Sequence, residues 1–289
     1  MIALPPVETV SEAWLSGLER VVLAPGGRLV HLVTTVTRPG TEIPEVRDVL
    51  DAGLEAAQMQ SVDTVAETIF PSSLYPDPGV EWGPDVNPSL AAELDASAAV
   101  LFSAYEDILP LLRTVGANRS GTYFSRMISW PGKEAGGTSQ LRLRIDGLRS
   151  QRAAGRYRNN TLDIDVAADA LLTDCPGVQV YAVTDRRTRG FPCLTHLDLT
   201  LHDGLLHCTA VYRHQYLVEK AYGNLLGLSA LMRFLGQQSG YPVGELCVHA
   251  TMADAQLSSR LKVQELARDA RAAFEVAERQ PMARLRAPA

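Results

Sequence analysis

The dipeptide Asp203-Gly204 constrains this 289-residue chain more than any other feature, because it lies between two runs that alternate apolar and polar side chains. Leu197, Leu199 and Leu201 mark one arm, and Leu206, Cys208 and Ala210 the other. Asp-Gly between alternating runs predicts a two-residue β-hairpin, since both residues tolerate the positive φ that the tight turn requires. From about Val218 the apolar period changes to three and four, through Tyr222, Leu225, Leu226, Ser229, Met232 and Phe234 or Leu235. That spacing predicts a helix directly after the hairpin. Three chemically distinctive residues fall on these consecutive elements: Cys193 opens the first strand, Arg213 closes the second, and Asn224 sits in the helix. A hairpin with a helix packed on it can bring a thiol, a guanidinium and a carboxamide to one pocket.

Each has a plainer reading. A buried cysteine is usually a small apolar group, and Arg213 could be a surface cation. Asn224 is harder to dismiss, because its helix is apolar nearly all round. An unpaired buried carboxamide costs on the order of 1–3 kcal/mol, so it needs a partner, either a planar base edge or a backbone carbonyl.

The spacing of Pro192-Cys193, Asp203-Gly204, Cys208, Arg213 and Asn224 resembles the thymidylate synthase family, which includes the pyrimidine hydroxymethylases. The likeness extends to Val243-Gly244-Glu245 and, upstream, to Tyr123-Phe124-Ser125-Arg126, Trp130 and Gln140-Leu141, covering roughly residues 119–256. It implies an α/β (α+β) fold: a twisted, mostly antiparallel sheet with helices on one face, paired sheet to sheet in a homodimer. It implies one-carbon transfer to C5 of a pyrimidine nucleoside monophosphate, with 5,10-methylenetetrahydrofolate as donor. Cys193 would be the nucleophile, Tyr123 would assist proton removal at C5, and Arg213 would contact phosphate and thiol. Asn224 would read the base edge, leaning toward a uracil ring. Arg156 and Arg158 would reach a partner's phosphate, with Arg186, Arg187 and Arg189 competing for that role.

The departures from the family are chemical. His214 and Tyr216 stand where it has a phosphate-binding serine and a folate-facing aspartate, and Asp254 and Gln256 replace its sugar-gripping histidine and tyrosine. Leu194 follows the nucleophile in place of histidine, and the shielding tryptophan, the early glutamate and the closing tail have no clear counterpart. These changes leave open a folate-independent nucleotide-binding relative, or the same thiol chemistry on another heterocycle.

The rest of the chain sets bounds. With 46% apolar residues a full core is expected, in a single domain: a divergent portion over 1–115, the family-like core, and a C-terminal helix and tail from 257. A net charge of −6 without a basic block argues against nucleic acid. No apolar run approaches the roughly 20 residues a membrane span needs. The first residues lack a signal-peptide pattern, and four cysteines without CxxC spacing suggest neither disulfides nor zinc. A reducing cytoplasm is the expected setting. Helices are expected from Ser11, as a cap, through Leu18, over 45–58, 91–112 and 139–150, and over 257–282 with Leu261, Val263, Leu266, Ala270 and Phe274 inward. Strands are expected over 28–37, 161–166 and 178–184, a loop over 75–88, and Arg142, Arg144 and Arg149 in solvent.

Overall fold

The computed structural model describes residues 1–80, 86–119, 121–130, 135–155, 163–166, 192–258 and 262–279. Their architecture is mixed α/β, with a mostly antiparallel open sheet and helices. The chain forms two compact units: residues 1–67, 211–230 and 244–289, and residues 68–210 with 231–243.

The first unit is built on β1 (Ile2–Ala3), β2 (Arg28–Val36) and β7 (Val243–Asp254, from Gly244 onward). β1 runs parallel to β2, β2 runs antiparallel to β7, and the short β6 (Gln215–Tyr216) runs parallel to β7. Helix α1 (Val10–Val22) buries Val10, Trp14, Leu18 and Val21 beside Leu32 and Val36 of β2. Its cap is Thr9, in a capping box with Glu12, rather than Ser11. Ser11 lies two residues past the cap and is fully buried, where its hydroxyl accepts from Ile43 N and bonds the Tyr222 hydroxyl at 2.7 Å. Helix α2 (Pro44–Ala56) buries Val46, Leu50 and Leu54, and α8 (Val263–Arg279) buries Val263, Leu266, Ala270 and Phe274. The C-terminal helix therefore starts later than its apolar pattern suggested; Leu257 precedes it against Gly27, and Leu261 lies outside the described residues. Arg47 of α2 ties this unit together through Glu42, Asp51 and Asp63, with its guanidinium over the Tyr222 ring.

The second unit is organised by α4 (Pro88–Leu112), which begins three residues before the periodic run because Asn87 caps it and Pro88 fits the first turn. Leu94, Ala98, Leu101, Tyr105 and Leu109 form its buried stripe. Phe70, Tyr75, Phe102, Phe124 and Phe234 pack with ring centroids 5.2–6.2 Å apart. Burial pushes the Tyr75 phenol up to about 12. Helix α5 (Tyr123–Ile128) is capped by Thr122, and α6 (Gln140–Ala154) by Ser139. Leu141, Ile145 and Leu148 point inward as the period requires. The arginines between them are not idle surface charges: Arg144 Nε donates to Asp163 O at 2.6 Å, and Arg149 Nε to Gln238 O at 2.6 Å. The long side chains reach main-chain carbonyls of distant segments.

The hairpin forms as its sequence dictates. β4 (Leu194–His202) and β5 (Leu205–Tyr212) bury Leu197, Leu199, Leu201, Leu206, Cys208, Ala210 and Tyr212. Asp203 and Gly204 have φ of 50° and 77°, the pair of positive values a type I′ turn needs. Leu194 is also buried, so two half-exposed residues in a row, Thr195 and His196, shift the alternation by one at the start of β4. β3 (Ile164–Asp165) pairs antiparallel with β4, placing Asp165 opposite His196. The expected strand over 178–184 lies outside the described residues, as do Arg156, Arg158, Arg186, Arg187 and Arg189.

Candidate functional site

In the second unit the structure brings Cys193 and Tyr123 together. Tyr123 is the first residue of α5, and its hydroxyl accepts from the backbone N–H of Cys193 at 3.3 Å and of Leu194 at 3.4 Å. The phenol thus sits over the entry to β4, where Pro192 and the half-exposed Cys193 precede the first ladder residue. Gln140 and Arg126 brace the same region. Gln140 Nε2 donates to Arg126 O and Asp165 O, and the almost fully buried Arg126 donates to Val166 O at 2.7 Å.

Arg213, His214, Tyr216, Asn224, Asp254 and Gln256 lie in the first unit. Arg213 follows β5 by one residue, and its Nε and Nη2 are buried without a hydrogen-bond partner among the described residues. Such a group costs about 1–3 kcal/mol for each orphan, and a structure tolerates it where a ligand completes it. His214 Nε2 is also buried and unbonded, 3.7 Å from an Asp254 carboxylate oxygen. The His214 ring lies 4.5 Å from that of Tyr216, which is 38% exposed. Asn224 is 5% exposed, and its carboxamide makes no hydrogen bond among the described residues.

Local backbone explains how these residues are presented. A π-helical turn over Leu217–Ala221 connects β6 to α7 (Tyr222–Ser239) and rotates the start of that helix. Its free ends are satisfied from a distance: Trp14 Nε1 donates to Leu217 O at 2.8 Å, and Glu219 N donates to Gln256 Oε1 at 3.1 Å. Gly223 lets α7 approach α3 (Val62–Glu67) closely. A Cβ there would lie 2.6 Å from both Val62 O and Val65 Cβ. Gly223→Ala should therefore lose about 1–2 kcal/mol in urea unfolding, because overlap with a carbonyl outweighs the helix propensity of alanine. An unchanged midpoint would contradict that packing.

Asp254 and Gln256 are spent on the fold. Asp254 accepts from Arg28 Nε at 2.9 Å and from Gln256 N at 2.7 Å, and Gln256 takes a left-handed φ of 57° to cap the π-turn. Sequence reasoning missed this exchange, because Arg28 lies 226 positions from its partner.

The described cysteines differ in their surroundings. Cys208 is 2% exposed. Cys247 is half-buried, and its thiol is pushed up by burial, against a lowering hydrogen bond to Thr35. A raised thiol supplies less thiolate at neutral pH. With Cys175 changed to Ala, one fast thiol should react with a disulfide reagent at pH 8, and Cys193→Ser should remove it. Cys247 labelling should keep accelerating above pH 9, its ordinary value. A fast phase that survives Cys193→Ser would contradict this.

A scan of protein-family models returned no match to this chain, and a search of curated proteins returned none either. Among the described residues no helix is long and apolar enough to cross a membrane.

Proposed function

We propose that this chain is a divergent relative of the thymidylate synthases that transfers a one-carbon unit to C5 of a pyrimidine nucleoside monophosphate. The observation that carries the reading is the Arg213 guanidinium, two of whose nitrogens, Nε and Nη2, are buried without a hydrogen-bond partner among the described residues. Phosphate oxygens suit it, since forked N–H donors match a phosphate dianion better than a point charge does. His214 would add a third nitrogen to that anion, and the unbonded Asn224 carboxamide would pair with the base edge.

The chemistry follows from the ring. A pyrimidine is a poor nucleophile at C5 until a thiolate adds at C6, which gives an enolate carrying the charge toward C5. Cys193 is the nucleophile in this reading, attacking as its thiolate. Tyr123, bonded at the Cys193 backbone, would pass the C5 proton to water. Elimination of the thiol then restores the aromatic ring. The donor 5,10-methylenetetrahydrofolate supplies the carbon at formaldehyde oxidation level. The exposed Tyr216 ring would suit stacking on its heteroaromatic head. Capture of the transferred carbon by water would give the hydroxymethyl product, whereas a methyl product would also need a hydride, which tetrahydrofolate would supply as it is oxidised to dihydrofolate. The reading includes a cytoplasmic homodimer paired through the open sheet face, with Arg156 and Arg158 completing the partner's phosphate site.

The binding of Asp254 to Arg28 favours a second reading, the same thiol addition on another heterocycle, because the family's sugar contacts are replaced by bonds within the fold. Tritium release from C5 of UMP, dUMP, CMP and dCMP, with methylenetetrahydrofolate present, separates the two. Release from one of the four supports one-carbon transfer to a nucleotide; none from any would overturn it.

A further inference from the structure

We propose that β3 and β4 carry a divalent-cation site formed by Asp163, Asp165 and His196, separate from the residues assigned to the nucleotide. One ligand atom from each of the three lies within 4.8 Å of the others. The antiparallel register creates this arrangement. Asp165 pairs with His196, and Asp163, two residues back along an extended backbone, presents its side chain to the same face. Ile164, between them, is buried on the opposite face beside Leu197. All three ligands are half-exposed, so an ion can enter.

The backbone beneath the carboxylates is held from outside the cluster. Arg144 Nε donates to Asp163 O at 2.6 Å, Gln140 Nε2 donates to Asp165 O at 2.8 Å, and Asp165 N donates to Gln140 Oε1 at 3.1 Å. Helix α6 thus fixes two like charges side by side through main-chain bonds and leaves both carboxylates facing the imidazole. Asp165 Oδ1 lies 3.2 Å from His196 Nδ1, whereas the Asp163 carboxylate has no hydrogen bond or ion pair among the described residues. Asp198, on β4, adds negative potential toward the same ring. First-row ions bind nitrogen and oxygen at about 2.0–2.2 Å, so ordinary rotamer changes close the remaining distance. One imidazole with two carboxylates suits Mn²⁺ or Zn²⁺ better than the all-oxygen preferences of Mg²⁺ and Ca²⁺.

The test is calorimetric titration of the full chain with Mn²⁺ and with Zn²⁺, alongside Asp163→Asn, His196→Gln and His249→Gln. The last variant removes half of the His31–His249 pair, whose ring nitrogens lie 3.0 Å apart and form the rival locus. The proposal expects one ion per chain, affinity lowered at least tenfold by Asp163→Asn and by His196→Gln, and no effect of His249→Gln. Asp163→Asn is the cleaner variant, because that side chain has no structural bond to lose. Absence of saturable binding, wild-type affinity in both ligand variants, or loss of binding in His249→Gln would overturn it. Tritium release bears on the nucleotide reading alone, so the two proposals fail independently.

Discussion

Cys193→Ser should abolish tritium release from C5, lowering it by on the order of 10⁴-fold or more, while leaving the fold intact. A serine hydroxyl in that position is scarcely ionised at neutral pH, so the addition at C6 loses its nucleophile. Serine is close to cysteine in size and polarity, so the substitution leaves the local packing largely unchanged. Cys193 is half-exposed, and the bond it makes to Tyr123 comes from its backbone N–H, which serine retains. Stability should therefore stay within about 0.5 kcal/mol of the parent. Retained exchange in the serine variant would mean that another group attacks the ring. Tyr123→Phe provides the complement: it removes the proton relay but keeps the thiol, so exchange should slow by about 10²-fold or more.

Arg213→Met should separate binding from stability, with opposite signs. The buried Nε and Nη2 have no partner within the described protein. Replacing them by an apolar chain of similar length removes a desolvation penalty and should raise unfolding stability by about 1–3 kcal/mol. The same change removes two charge-assisted donors from the proposed phosphate site, so nucleotide affinity should fall by about 100-fold or more. Arg213→Lys should be intermediate in affinity, since an ammonium cannot reproduce the fork. A destabilised Arg213→Met with unchanged nucleotide binding would show that the guanidinium serves the fold alone.

Local chemistry made part of this architecture legible. The Asp203-Gly204 turn and the leucines flanking it form the hairpin because a positive φ and a period of two admit few alternatives. The stripe Leu141, Ile145 and Leu148 was equally plain. What escaped were bonds between residues distant in sequence. Ser11 has a cap's chemistry, yet it is drawn into the core by Ile43 and by Tyr222, which is 211 positions away. Arg144 and Arg149 have the pattern of a solvated helix face but end on Asp163 and Gln238 carbonyls. Of the candidate site, the bond from Cys193 N to the Tyr123 hydroxyl joins residues 70 positions apart, which no local period reveals. The orphaned nitrogens of Arg213 and His214 are visible only in three dimensions, because burial without a partner has no signature in one dimension. The alternation Asp163-x-Asp165 was present in the expected strand over 161–166, but its pairing with His196 needed the register.

Intact-mass measurement after incubation with 5-fluoro analogues of UMP, dUMP, CMP and dCMP, with and without methylenetetrahydrofolate, tests the covalent step at its source. Fluorine at C5 leaves no proton to remove, so an adduct formed by addition at C6 and carbon transfer has no route to release product. Wild-type chain should gain the mass of one nucleotide together with the folate, on the peptide that contains Cys193, and Cys193→Ser should gain none. An unmodified wild-type chain with all four analogues, or an adduct on Cys175, Cys208 or Cys247, would contradict the account.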